Sequence, residues 1–217
     1  MRRLLVAALA VSIAATSFAP IAAASSPTVA SISTVRALTD AEDAIPSVEE
    51  VRAALTIFGA PRINDHDLPD EDPLWDLFDE AGRFVVVPAG EMNEVTFVVG
   101  AYEIDAGTSE SQDFAATLDL LKTYAQKRVG SAGAVEVRAQ SGEDLFGANE
   151  AYDVSMIQPE GGALKNVMLV RLSRFGKYVT FVSADTNPKA GQPTDALMMN
   201  LALPWLTIAK LVSDKSK

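Results

Sequence analysis

The chain has 217 residues, 48% of them hydrophobic and 22% charged, and 18 Lys and Arg against 29 Asp and Glu give a formal charge of −11. That apolar fraction sustains a real core and excludes wholesale disorder, while so acidic a surface repels phosphate backbones and anionic membranes and excludes nucleic acid as a partner. Cysteine is absent and His66 is the one histidine, so disulfides, Fe–S clusters, thiolate and three-His zinc centres and thiol nucleophiles are excluded.

Met1-Arg2-Arg3 is a short positive start, Leu4 to Ala15 is uncharged and apolar apart from Ser12, and Ala22-Ala23-Ala24 offers the small-x-small pattern of a signal peptidase site. The run is too short and alanine-rich for a membrane span. Residues 1–24 therefore read as a cleavable signal peptide, with no stable membrane insertion after processing. No Cys follows the cleavage point, so a lipoprotein anchor is excluded. The mature chain keeps 16 basic and 29 acidic residues, a charge of −13. An acidic, cysteine-free exported chain suits the periplasm or secretion.

Residues 25–46, rich in Ala, Ser and Thr, read as a flexible tether with one loose turn around Thr39 to Ala44. Order is expected from Ser47. Ser47 and Glu50 make a capping box, and Val48, Val51, Leu55 and Phe58 recur at helical spacing up to Gly59. Asp72-Pro73 opens a second short helix, with Leu74, Trp75 and Phe78 as its stripe and Gly82 as its end. Both helices, within 47–82, are expected to pack on the domain.

Val85 to Val87 and Val95 to Ile104 read as two strands, paired as a hairpin. Ser109 to Gly130 is the clearest helix, with Phe114, Leu118, Leu121 and Ala125 on one face and charges that complement the macrodipole. Val135 to Arg138 and Ala151 to Met156 alternate with a period of two. Val167 to Leu172 reads as apolar on both faces, the pattern of a central strand. Phe175-Gly176-Lys177 turns the chain into a strand from Tyr178 to Ala184. Thr194 to Val212 is helical, with Leu197, Leu201, Trp205, Ile208 and Leu211 buried, and Pro204 is expected to kink or split it. The fold class is α+β: an antiparallel sheet of about six strands flanked by helices, over residues 83–213.

The order β-β-α-β-β-β-β-α, with the helix segment Gln112-Asp113-Phe114-Ala115-Ala116-Thr117-Leu118, the run Asp144-Leu145-Phe146-Gly147-Ala148-Asn149-Glu150-Ala151-Tyr152 and the Gly176-Lys177-Tyr178 hairpin, resembles the PsbP/Mog1/DcrB-like α/β/α sandwich. The resemblance spans about Arg83 to Val212 and carries no catalytic signature. It implies a small exported accessory protein with a binding or assembly role. The lipid anchoring common in DcrB-type proteins does not carry over, for want of the Cys.

The densest polar feature is Asp65-His66-Asp67-Leu68-Pro69-Asp70-Glu71-Asp72 with Asp76, Asp79 and Glu80, eight carboxylates within sixteen residues. Asp65, Asp67, Asp70 and Asp72 are candidate Ca²⁺ ligands, although Pro69 and Asp70 depart from EF-hand spacing. A solvated acidic loop leading into the helix at Pro73 is the simpler reading, and a docking site for a basic partner segment stands beside the metal as an alternative. His66 is a candidate general base or an exposed loop histidine. Glu103 and Asp105 fall on one face of an expected strand, about 7 Å apart, a spacing open to carboxylate catalysis. Gly130-Ser131-Ala132-Gly133 is a turn and not a serine nucleophile motif, and no P-loop or dinucleotide fingerprint occurs. Trp75, Phe78, Tyr152, Tyr178 and Trp205 read as core before an apolar pocket lining, and Met198-Met199 as core filler before an adaptable surface, although one of the two methionines must point away from the core face. No catalytic residue or cofactor is assigned. The expected function is a non-enzymatic periplasmic accessory protein that binds an envelope protein; a carboxylate- or metal-dependent hydrolase and a Ca²⁺ or small-ligand binder are the alternatives.

Overall fold

The computed structural model describes residues 40–56, 65–66, 78, 82–87, 95–160, 163–186 and 194–217, with the backbone alone at 65–66, 82–87, 160, 163–164 and 194–200. All of them belong to one unit, Val35–Lys217. The expected signal peptide, most of the expected tether and most of the second expected helix lie outside the described residues.

The Ser47 hydroxyl accepts the Glu50 N–H at 3.2 Å while the Glu50 carboxylate accepts the Ser47 N–H at 2.6 Å. This reciprocal cap starts helix α1, Val48–Leu55. Packing begins earlier than Ser47. Asp40 caps a 3-10 turn at Ala41–Ala44, whose two alanines are buried with Ala101 and Tyr178. Helix α2 is Glu110–Val129 and ends at Gly130, whose positive φ of 65° with ψ −168° is a backbone geometry that glycine adopts without a Cβ penalty. Helix α3 is Thr194–Lys215. It continues through Pro204, contrary to the split expected there. Leu201, Trp205, Ile208, Ala209 and Val212 are all buried on both sides of the proline, and this packing offsets the missing backbone donor.

The strands are β1 (Asp65–His66), β2 (Gly82–Val87), β3 (Val95–Glu103), β4 (Ala134–Ala139), β5 (Glu150–Glu160), β6 (Ala163–Phe175) and β7 (Tyr178–Thr186). Gly82, expected to end a helix, opens β2 instead. All pairings are antiparallel, in the order β1-β2-β3-β7-β6-β5-β4. The body of the sheet is β3-β7-β6-β5-β4, with β2 and the two-residue β1 beyond β3. The β6–β7 hairpin closes at Phe175 opposite Tyr178, leaving Gly176 (φ 59°) and Lys177 in the turn.

Alternation along the strands sorts side chains onto two faces. Val98, Val154, Met156, Met168, Val170, Leu172, Val179 and Phe181 meet Phe114, Leu118, Leu121, Ala125 and Val129 of α2, together with Phe78. Val95, Phe97, Val99, Val167, Leu169, Val182 and Ala184 meet Val51 and Leu55 of α1 and the buried stripe of α3. The class is therefore α+β, one antiparallel sheet with helices packed on it. Phe78, Tyr178 and Trp205 are buried and Tyr152 is partly buried against the α2 side. Strand β6 is central, but it is not apolar on both faces, because Arg171 lies within it and is buried.

Candidate functional site

Of the residues singled out from the sequence as candidate site residues, Asp65, His66, Glu103 and Asp105 fall within the described residues. Asp65 and His66 form β1, opposite Val85 and Phe84, and Asp67, Asp70 and Asp72 lie outside the described residues. No group of three or more His, Asp or Glu converges to hold a metal ion among the described residues. Strand β3 stops at Glu103, and the chain turns at Asp105, whose carbonyl accepts the Thr108 N–H. The two carboxylates therefore do not share a strand face. The Glu103 carboxylate instead takes a 2.5 Å hydrogen bond from Lys177 Nζ, which raises the Lys177 ammonium above its ordinary range.

Three charged or polar groups that sequence reading missed are built into the interior. The first is on the α3 face. Arg171 of β6, its side chain 5% exposed, grips Asp153 of β5 through Nε–Oδ1 at 2.7 Å and Nη2–Oδ2 at 2.8 Å. The two residues are directly opposed in the sheet, so the ladder itself sets the bidentate geometry. Gln140 Nε2 adds 2.8 Å to Asp153 Oδ2. The Arg171 guanidinium lies 4.6 Å from the Phe146 ring centre and 5.7 Å from that of Trp205, within cation–π range. Phe146 is held there by its own backbone, at φ 53°, and by Ser213 Oγ of α3, which donates to its carbonyl at 2.5 Å.

The second group fastens the end of α2 to the other face. Arg128 pairs with Asp185 of β7 and donates to Tyr124 Oη at 2.7 Å, while Asn166 Nδ2 reaches Asp185 Oδ1 at 2.5 Å. Burial alone would lower the Arg128 pKa, but Asp185 and Tyr124 outweigh it and the net shift is upward. In the third, the Tyr102 hydroxyl of β3 donates to Asp113 Oδ1 at 2.5 Å and lies 2.6 Å from Thr117 Oγ1, both on α2. Burial raises its pKa first, and the bond to Asp113 raises it further. The sequence does hold a signal for the first group: an arginine inside an otherwise apolar central strand needs a buried partner, and Asp153 alternates onto the same face.

Among the described residues, depressions open on the surface at the β6–β7 turn and beside Trp205. A cleft of about 440 Å³ lies at the β6–β7 turn, lined by Gly147, Asn149, Phe175, Gly176, Lys177, Tyr178, Ser216 and Lys217. Asn149 Oδ1 accepts the Gly176 N–H at 2.6 Å and fixes one wall. A groove of about 170 Å³ runs beside Trp205, lined by Glu136, Arg138, Asp153, Ser155 and Leu169. Lys177 and Lys217 line the larger cleft while pairing with Glu103 and Asp214.

Fold and site together define an α+β protein with an antiparallel sheet, charge-locked interior joints and an open cleft at the turn end. No protein-family model matches the chain, and no curated protein matches it. Among the described residues no helix is long and apolar enough to cross a membrane.

Proposed function

We propose that the chain is an exported accessory protein that acts by binding an envelope protein and carries no catalytic activity, with the α/β/α-sandwich architecture of PsbP/Mog1/DcrB-like proteins. The observation that carries the reading is how the charged side chains are used. Arg171 with Asp153, Arg128 with Asp185, and Glu103 with Lys177 each hold one element to another, while a broad cleft with lysines on its lining faces solvent. A cleft of this kind seats a side chain or a turn of a partner, and the net charge of −13 left after processing steers a basic one. The sandwich reading is supported by helices on both sheet faces and by the element order from β2 to α3.

The exported protein used as bait in envelope extract is expected to retain one near-stoichiometric protein, released at high salt. Turnover of an ester, glycoside or phosphoester that disappears in Glu103→Gln, with folding intact, would overturn the reading in favour of a hydrolase.

A further inference from the structure

We propose that the chain pairs with a second copy of itself through β4, antiparallel and centred on Val137, so that two sheets join across a two-fold axis. Strand β4 closes the strand order and pairs only with β5 among the described residues. Of its six residues, Val135 alone is partly buried and the rest are exposed, Val137 at 37%. An outer row of unpaired backbone N–H and C=O groups is a template for another strand.

The charges on this edge select the occupant. Natural edges are commonly protected by like charges, lysine above all, which repel any copy. Here Glu136 and Arg138 have opposite signs two residues apart on one face, both about 70% exposed, and bridge each other at 3.0 Å within the chain. In an antiparallel ladder centred on Val137, Glu136 of each copy stands opposite Arg138 of the other. Val137 then meets Val137, and Val135 meets Ala139. Opposite-charge and β-branched cross-strand pairs are the stabilising kind, and the arrangement is isologous, as a two-fold dimer requires. Centring one residue away sets Glu136 against Glu136 or Arg138 against Arg138, and a half-step slip sets the charged face against the valine face. One register is thus favoured over its neighbours.

A ladder of this length is short and each chain carries −11, so association is expected to be concentration-dependent. Sedimentation equilibrium of the purified protein is the test, with dimer expected at about 0.1 mM. Glu136→Arg and Arg138→Glu each place like charges opposite one another and should weaken self-association by about tenfold or more. An equimolar mixture of the two single variants should form a heterodimer, and the double reversal Glu136→Arg/Arg138→Glu should restore the homodimer. A protein that stays monomeric to about 1 mM would overturn the proposal. So would a dimer indifferent to both reversals, or single variants that fail to associate with each other when mixed.

Discussion

Arg171 shows what one residue can decide inside a sheet. Its guanidinium is desolvated, and Asp153 holds it at 2.7 and 2.8 Å. Removing one member of a buried pair leaves an uncompensated charge, which costs about 3–5 kcal/mol. Asp153→Ala is therefore expected to destabilise by about 3 kcal/mol, the low end because the Asp153 side chain keeps 23% exposure. The double change Asp153→Leu/Arg171→Met should recover most of that loss, measured by urea unfolding. A single variant that unfolds like the wild type would mean the pair contributes nothing. Gly100 makes a steric counterpart. A Cβ there would stand 2.8 Å from Phe78 Cβ, and the buried phenyl ring has no room to retreat. Gly100→Ala should cost about 1–3 kcal/mol through overpacking.

Helix α1 is only eight residues long and depends on two fastenings beyond its buried Val51 and Leu55. One is the Ser47 cap, and Ser47→Ala should cost about 1 kcal/mol. The other is Lys215 of α3, whose Nζ sits 2.8–2.9 Å from both Glu50 oxygens. Lys215, then the Ser47 N–H, hold the Glu50 carboxyl below its ordinary 4.5. A group with a depressed folded pKa stabilises above its unfolded value and loses that contribution as the pH falls through the folded one. The α1–α3 joint is thus complete above about pH 4.5 and weakens below it. Glu50→Gln should remove this part of the acid limb in melting temperature against pH; an unchanged limb would place the acid sensitivity elsewhere. In α3, Pro204 occupies a helix interior where proline is about 3 kcal/mol less favourable than alanine. Pro204→Ala should raise stability by about 1–3 kcal/mol in the same assay.

At the scale of the whole molecule the charge of −11 opposes compaction. The melting temperature should rise between low and moderate salt as this self-repulsion is screened; a fall would mean that the ion pairs outweigh it. The export reading also has a direct check, since the N-terminal peptide of the chain recovered from the cell envelope should begin at Ser25. A chain recovered with Met1 in place would overturn cleavage.

The helices and strands were largely legible because their signals are local. Ser47 with Glu50, the Phe114-Leu118-Leu121-Ala125 stripe, the alternation of Tyr152, Val154 and Met156, and Gly176 in its turn each depend on near neighbours in the chain. The pairing of β3 with β7, Val95 opposite Thr186, is a long-range match that no local pattern encodes. Tertiary structure also ended β3 before Asp105, carried α3 through Pro204, and drew Ala41 and Ala44 into the core. In α3 and at Ala41 and Ala44, burial outweighed a local propensity of a few kcal/mol at most. The sequence by itself determined composition, the excluded chemistries and most of the elements, since these follow from residue type and period. Only the tertiary structure decided which charges became joints, with Arg171 facing Asp153, Arg128 facing Asp185 and Glu103 facing Lys177. A charge acquires its role from the partner that folding brings within about 3 Å, and that partner is distant in the chain.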